Sequence, residues 1–213
     1  MDVQQSQRSR SVGLDYEGFR TVMGSFASGV AVVTTHSADG EPHGLTCSAV
    51  CSVSADPPLL LACIRTPSRT LDALRESGVF AVNFLDAQAR EVSQRFSGRE
   101  QDKFGSVGWH PGAARGVPVL DRVLAHAECT TRQLIEAGDH VVVIGLLVGG
   151  DVDRSRFPLG YWRGSYMQVY RLDQPGDRRA GVPAISDPQV VGDAEMLARA
   201  DAELGYGLER VSL

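Results

Sequence analysis

No stretch of this chain is apolar over enough residues to span a bilayer, and no run of lysine and arginine marks it for nucleic acid. The formal net charge of -5 points the same way, because a polyanion would meet a surface of like sign. Two glycine-rich signatures are missing: no GxGxxG follows a strand, and there is no P-loop, so neither usual phosphate-binding fold is indicated. GxSxG is absent too, which leaves no sign of a serine nucleophile. The four cysteines, Cys47, Cys51, Cys63 and Cys129, have no second CxxC-like pair or histidine cluster to complete a zinc site. No metal is expected, and the thiols read as reduced in a cytoplasmic protein. Residues 1–14 carry basic side chains with no apolar core behind them, and read as a disordered arm instead of a secretory signal. Internal repeats are absent.

What is present is one domain's worth of short alternating segments. Residues 15–26 have helical spacing, with Phe19, Val22, Met23 and Phe26 on one face and Asp15 placed to cap. A β-branched strand over 30–35 is closed by the turn Ala38-Asp39-Gly40, and a strand over 44–54 follows as its hairpin partner. After Pro57-Pro58 comes a short apolar strand, 59–64. A helix over 71–76 is opened by Ser68 and stopped by Gly78; a strand at 79–85 and a helix at 87–96 follow. Residues 97–120 read as a long Gly- and Pro-rich loop, of the kind that is usually functional or mobile. Residues 124–135 and 140–148 predict a long hairpin turning at Gly138, and 158–162 with 166–171 a final pair. The domain is expected over 15–172. Residues 173–213 read as an extension with a short helix near 193–204. Hairpin spacing with few helices predicts a mainly β fold, an antiparallel barrel or sandwich.

Six places are candidates for chemistry. Read with a period of two, the 44–54 strand turns Thr46, Ser48, Val50, Ser52 and Ser54 to one face, and Leu45, Cys47, Ala49, Cys51 and Val53 to a buried one. A strand lined with small hydroxyls leaves room for a flat ligand, although an exposed edge strand gives the same pattern. Ser68, Arg69 and Thr70 at a helix start form an anion site, or simply a cap with a solvated arginine. Asn83 is a polar residue in an apolar strand; its amide needs partners, in the backbone or on a ligand. His140, in Gly138-Asp139-His140, is structural by default, as are Lys103 in the long loop and the aromatic pair Tyr161 and Trp162.

Taken together and in order, the segments FASGVAVVTT, GLTCSAVCSVSADPPLLLACI, SRTLDAL, GVFAVNFL, Arg95-Phe96-Ser97, Asp102-Lys103-Phe104, AGDHVVVIGLLVGG and PLGYWRGSY resemble the short-chain flavin reductase family. These are the reductase components of two-component flavin-dependent monooxygenases, of the hydroxyphenylacetate and phenol hydroxylase type. The resemblance runs from about residue 16 to residue 170. It implies a flavin-binding split β-barrel with Greek-key topology and peripheral helices, working as a homodimer with flavin near the subunit interface. It implies FAD or FMN as the flavin, NADH or NADPH as hydride donor, and a partner monooxygenase that receives reduced flavin by diffusion. Carried over, Thr46, Cys47, Ser48, Ser52, Val53 and Ser54 line the flavin ring and ribityl chain. Ser68, Arg69 and Thr70 meet its phosphate, and Asn83 and Lys103 lie around the ribityl or phosphate side. His140 and Tyr161 fall on the nicotinamide side, and no residue is assigned as a catalyst. The chain departs from the family at Cys47, Ala49 and Cys51, where paired serines and an aromatic are common. A flavin-holding module without turnover, and a flavoprotein oxidase or deazaflavin-dependent reductase, are the alternative expectations.

Overall fold

The structure is a computed structural model that describes residues 13–169. The expected helix near 193–204, most of the N-terminal arm and the domain end at Leu172 lie outside those residues. The elements in chain order are α1 (Tyr16–Gly24), β1 (Ser28–Gly29), β2 (Ala31–His36), β3 (Pro42–Cys47), β4 (Val50–Ala55), β5 (Pro58–Arg65), α2 (Arg69–Ser77), β6 (Val79–Leu85) and α3 (Arg90–Ser97). Then come β7 (Trp109–Pro111), β8 (Pro118–Leu120), β9 (Val123–Ala137), β10 (His140–Val152), β11 (Leu159–Trp162) and β12 (Ser165–Gln168).

The fold is mainly β. Seven antiparallel strands form one sheet in the order β3-β2-β6-β9-β10-β5-β4, beside a three-stranded sheet β1-β11-β12 and a small β7–β8 hairpin. The large sheet is not closed into a barrel: β3 and β4 are its two edges. Those edges are nevertheless consecutive in the chain, separated only by Ser48 and Ala49, so the sheet must curl until its borders meet at that point. The Ala49 carbonyl accepts from the Cys63 N–H at 2.9 Å there, and the Cys47 thiol donates to the Cys63 carbonyl at 3.4 Å.

This joint corrects the expectation of a single strand over 44–54. β3 pairs with β2 and β4 pairs with β5, so the chain changes partner midway. The alternating faces change with it. Thr46 is buried along with Cys47, whereas Cys51, expected inside, is exposed on the edge strand. Strand β2 explains its own unbroken apolar run. Ala31 and Val33 pack into one cluster with Phe80, Leu74 and Val141, while Val30 and Val32 pack into a second with Leu85, Phe96, Leu120 and Tyr161. A strand covered on both faces reads as continuous instead of alternating.

Helix α1 begins where expected, with the Asp15 carboxylate accepting from the Gly18 N–H at 2.8 Å. Its apolar face is not covered by the described residues, however: Phe19 is 50%, Val22 58% and nearby Phe26 73% exposed. The 97–120 loop contains α3's end and the β7–β8 hairpin, which is tied down by Glu128. That carboxylate, 1% exposed, accepts from the Ala114 and Arg115 N–H groups. The β9–β10 hairpin turns at Gly138 (φ 64), as expected, and its strands are longer than periodicity suggested. Among the described residues no helix is long and apolar enough to cross a membrane.

Candidate functional site

One end of the large sheet opens into a cleft of about 820 Å³. Three segments form it: the approach to β3 (Glu41, Pro42, His43, Gly44), the start of α2 (Pro67, Ser68, Arg69, Thr70), and the loop after α3, from Gly98 to Phe104. The α2 wall follows from local sequence. Ser68 is the N-cap, its hydroxyl accepting from the Leu71 N–H at 3.3 Å, and Gly78 in the left-handed region (φ 69) ends the helix. Thr70, Leu71, Ala73 and Leu74 are buried, which fixes the helix against the sheet with its N-terminal end in the cleft. The first-turn N–H groups and the partial positive charge of that end favour an anion.

The third wall is held by Lys103. Its ammonium donates to the Gly44 carbonyl at 3.2 Å and to the Phe96 carbonyl at 2.8 Å, joining the edge strand β3 to the C-terminal end of α3. Burial, and then the nearby Arg69 charge, push its pKa below the ordinary lysine value. Two of its three N–H donors are engaged by these carbonyls, so one remains. Gly44 makes the close approach possible. A Cβ there would lie 2.6 Å from the Phe96 ring and 3.3 Å from the Phe104 ring. Arg69 makes one long contact, 3.4 Å from Nη2 to the Glu100 carbonyl.

His140 stands at the same end of the sheet. It is the register partner of Arg65, three residues before Ser68. The Thr66 N–H and hydroxyl both donate to the Asp139 carbonyl, at 2.9 and 3.1 Å, so the β9–β10 turn and the cleft's Pro67 wall are fastened together. The His140 Nδ1 lies 2.8 Å from the Asp139 carboxylate, and its Nε2 is buried without a partner among the described residues. Hydrogen bonding from His140, then its charge, holds the Asp139 carboxyl below the ordinary value.

The other expected site residues are elsewhere. Ser52 and Val53 are exposed on β4, with Ser54 half-buried beside them and Ser48 at the joint; none of the four lines the cleft. The Thr46 hydroxyl donates to the Ser93 carbonyl at 2.6 Å, pinning β3 to α3. Cys47 is wholly buried, and desolvation pushes its thiol up to about 12. Asn83 is also wholly buried: its NH₂ donates to the Val32 carbonyl and the Thr34 hydroxyl, and its carbonyl accepts from the Leu120 N–H. Tyr161 packs in the second core, edge-on to Tyr166 at 5.3 Å between ring centres. So the structure brings together Ser68, Arg69, Thr70 and Lys103, with His140 adjacent, and directs the side chains of Thr46, Cys47, Asn83 and Tyr161 into the protein. His43, Gly44 and Arg99 are cleft residues that the sequence reading missed; the length and composition of the 97–120 loop were the only signal for Arg99. Among the described residues no group of three or more His, Cys, Asp or Glu is arranged to hold a metal ion.

Residues 23–170 match the family described as flavin reductase like domain. A flavin reductase (NADH) of Kitasatospora aureofaciens is 52% identical over 155 residues, 72% of this chain and 81% of that protein. The reductase subunit HsaB of a flavin-dependent monooxygenase from Rhodococcus jostii is 37% identical, over 73% of this chain and 79% of that one. Among solved structures, the Streptomyces globisporus NADH:FAD oxidoreductase SgcE6, in complex with NAD and FAD fragments, superposes with a TM-score of 0.71 at 30% identity, covering 75% of this chain and 96% of that one.

Proposed function

The chain belongs to the flavin reductase like domain family, and on that premise we propose that it is an NAD(P)H:flavin oxidoreductase that supplies reduced flavin to a partner monooxygenase. The observation that carries this reading is the cleft, where a helix N-terminus, the Ser68 hydroxyl, Arg69 and the remaining Lys103 donor converge as a phosphate site. FAD or FMN is the flavin, with NADH as the first choice of donor over NADPH. We read the curled seven-stranded sheet as a split β-barrel with Greek-key topology, and the exposed apolar face of α1 as the surface that joins two copies into a homodimer. In that assembly the small side chains of β4, exposed Ser52 and half-buried Ser54 with Val53, admit the flavin ring beside the subunit interface. Free thiols at all four cysteines agree with a cytoplasmic protein.

The flavin and the reduced nicotinamide supply the hydride chemistry themselves. The chain's part is placement. Arg69 and the α2 N-terminus fix the phosphate end, and Lys103 keeps the 98–104 wall against β3. His140, beside the cleft's Pro67 wall and with its ring oriented by Asp139, is the residue on the nicotinamide side. Orientation of this kind accounts for a large share of the rate enhancement of two-substrate reactions.

Multiple turnovers of added flavin with NADH, followed at the NADH absorbance band, are the expected result. Flavin retained through desalting without NADH oxidation would return the protein to a binding module. Arg69→Ala is expected to weaken flavin binding by about 1–2 kcal/mol, more at low salt than at high, because the contact is charge-assisted but solvent-exposed. A fluorescence titration that shows no change makes Arg69 a bystander. His140→Ala is expected to raise KM for the nicotinamide donor while leaving flavin affinity within about twofold, a difference of about 0.4 kcal/mol. Steady-state kinetics with each substrate varied checks this, and an unchanged donor KM removes His140 from the site.

A further inference from the structure

We infer that Arg99 is a specificity-determining residue for the flavin: it binds the second phosphate of a dinucleotide, and so favours FAD over FMN. The inference rests on the flavin-reductase reading of the cleft and goes beyond it. A single phosphate is served by the α2 N-terminus with Ser68, Arg69 and Lys103. Arg99 lines the same cleft and makes no hydrogen bond or ion pair among the described residues. It is therefore a surplus cation on the loop wall.

Its charge is not neutralised by the acid beside it. Asp102 also lines the cleft, but its carboxylate turns back on its own loop, accepting from the Phe104 N–H at 3.1 Å and the Gly105 N–H at 2.7 Å. The other lining acid, Glu41, stands on the β3 wall next to His43. At about 820 Å³ the cleft lies toward the upper end of the range of roughly 300–1,000 Å³ for small-molecule sites, which leaves room past one phosphate for a second and its ribose. The planar fork of a guanidinium matches two phosphate oxygens at once, a geometry an ammonium cannot copy.

The test compares affinities of FAD and FMN for the wild-type protein, Arg99→Ala and Arg99→Lys by fluorescence titration, and the KM of NADH and NADPH at saturating FMN. Arg99→Ala is expected to weaken FAD binding roughly tenfold or more, as a lost charge-assisted hydrogen bond does. FMN binding is expected to change less than about threefold, the effect of one screened surface charge. Arg99→Lys is expected to recover only part of the FAD loss, because charge returns without the fork. Equal losses for both flavins, or no loss for either, overturn the inference. So does an effect confined to the KM of NADPH, which would assign Arg99 to the 2′-phosphate of the nicotinamide donor. A wild-type protein that binds neither flavin overturns the underlying reading as well, whereas equal losses leave that reading intact.

Discussion

Replacing Asn83 with leucine is expected to destabilise the protein by about 3–4 kcal/mol, with no change in flavin affinity per folded molecule. The amide sits at 0% exposure between three elements. It donates to the Val32 carbonyl at 3.1 Å and the Thr34 hydroxyl at 2.9 Å on β2, and accepts from the Leu120 N–H at 2.9 Å on β8. Thr34 in turn donates to the Pro118 carbonyl, so the network fastens β8 to the sheet while Glu128 holds the turn of the same hairpin. Leucine matches the volume but leaves the Leu120 N–H buried without an acceptor, and such an orphan costs about 1–3 kcal/mol by itself. Loss of the shared network adds to that cost. Urea unfolding of the two proteins measures the difference. A loss below about 1 kcal/mol, the net worth of one ordinary hydrogen bond, would mean that the Glu128 contacts to the turn hold the hairpin without the Asn83 network.

Gly145→Val carries the second large effect, about 3 kcal/mol of destabilisation, from crowding and not from lost polarity. Gly145 lies on β10, opposite Leu60 of β5 and Thr131 of β9. A Cβ at this position would lie 2.4 Å from Cζ of Phe80 and 2.9 Å from Cβ of Cys129. Both neighbours are 0% exposed in the main core, so neither can swing into solvent to make room. Valine's favourable strand propensity acts in the opposite direction but spans only about 1 kcal/mol in total. Thermal unfolding with Gly145→Ala as the intermediate step tests the account. Stability should fall in the order glycine, alanine, valine, and a valine variant as stable as wild type would show that the Phe80 ring repacks freely.

Much of this was legible in the residues. The α2 cap, the turns at Gly40 and Gly138, the β9–β10 hairpin and the β2–β3 hairpin follow from local rules, and the structure agrees with each. The joint at Ser48–Ala49 was not legible. Both halves of 42–55 are extended, and the change of partner from β2 to β5 is decided by distant strands. For the same reason Thr46 and Asn83 looked like ligand-facing polar residues. A hydroxyl bonded to the Ser93 carbonyl and an amide bonded to β2 and β8 carry the same letters as groups that face a pocket. The amphipathic pattern of α1 correctly predicted a helix, but not that its apolar face is left uncovered by the described residues. Gly44 gave no local signal, and Arg99 none beyond the length and composition of its loop. One matters for the ring packed on it, and the other for which cleft its loop borders.

The sheet order has a consequence for synthesis on the ribosome. The β2–β3 and β4–β5 hairpins emerge early, and β2 finds β6 soon afterwards. Arg65 must nevertheless wait for His140, because β9 and β10 insert between β6 and β5. Until residue 152 has left the exit tunnel, the β3-β2-β6 and β5-β4 half-sheets are joined only at the Ser48–Ala49 link, with their other borders unpaired. Such non-local closure is slow, and the nascent polypeptide is most vulnerable to aggregation during that interval.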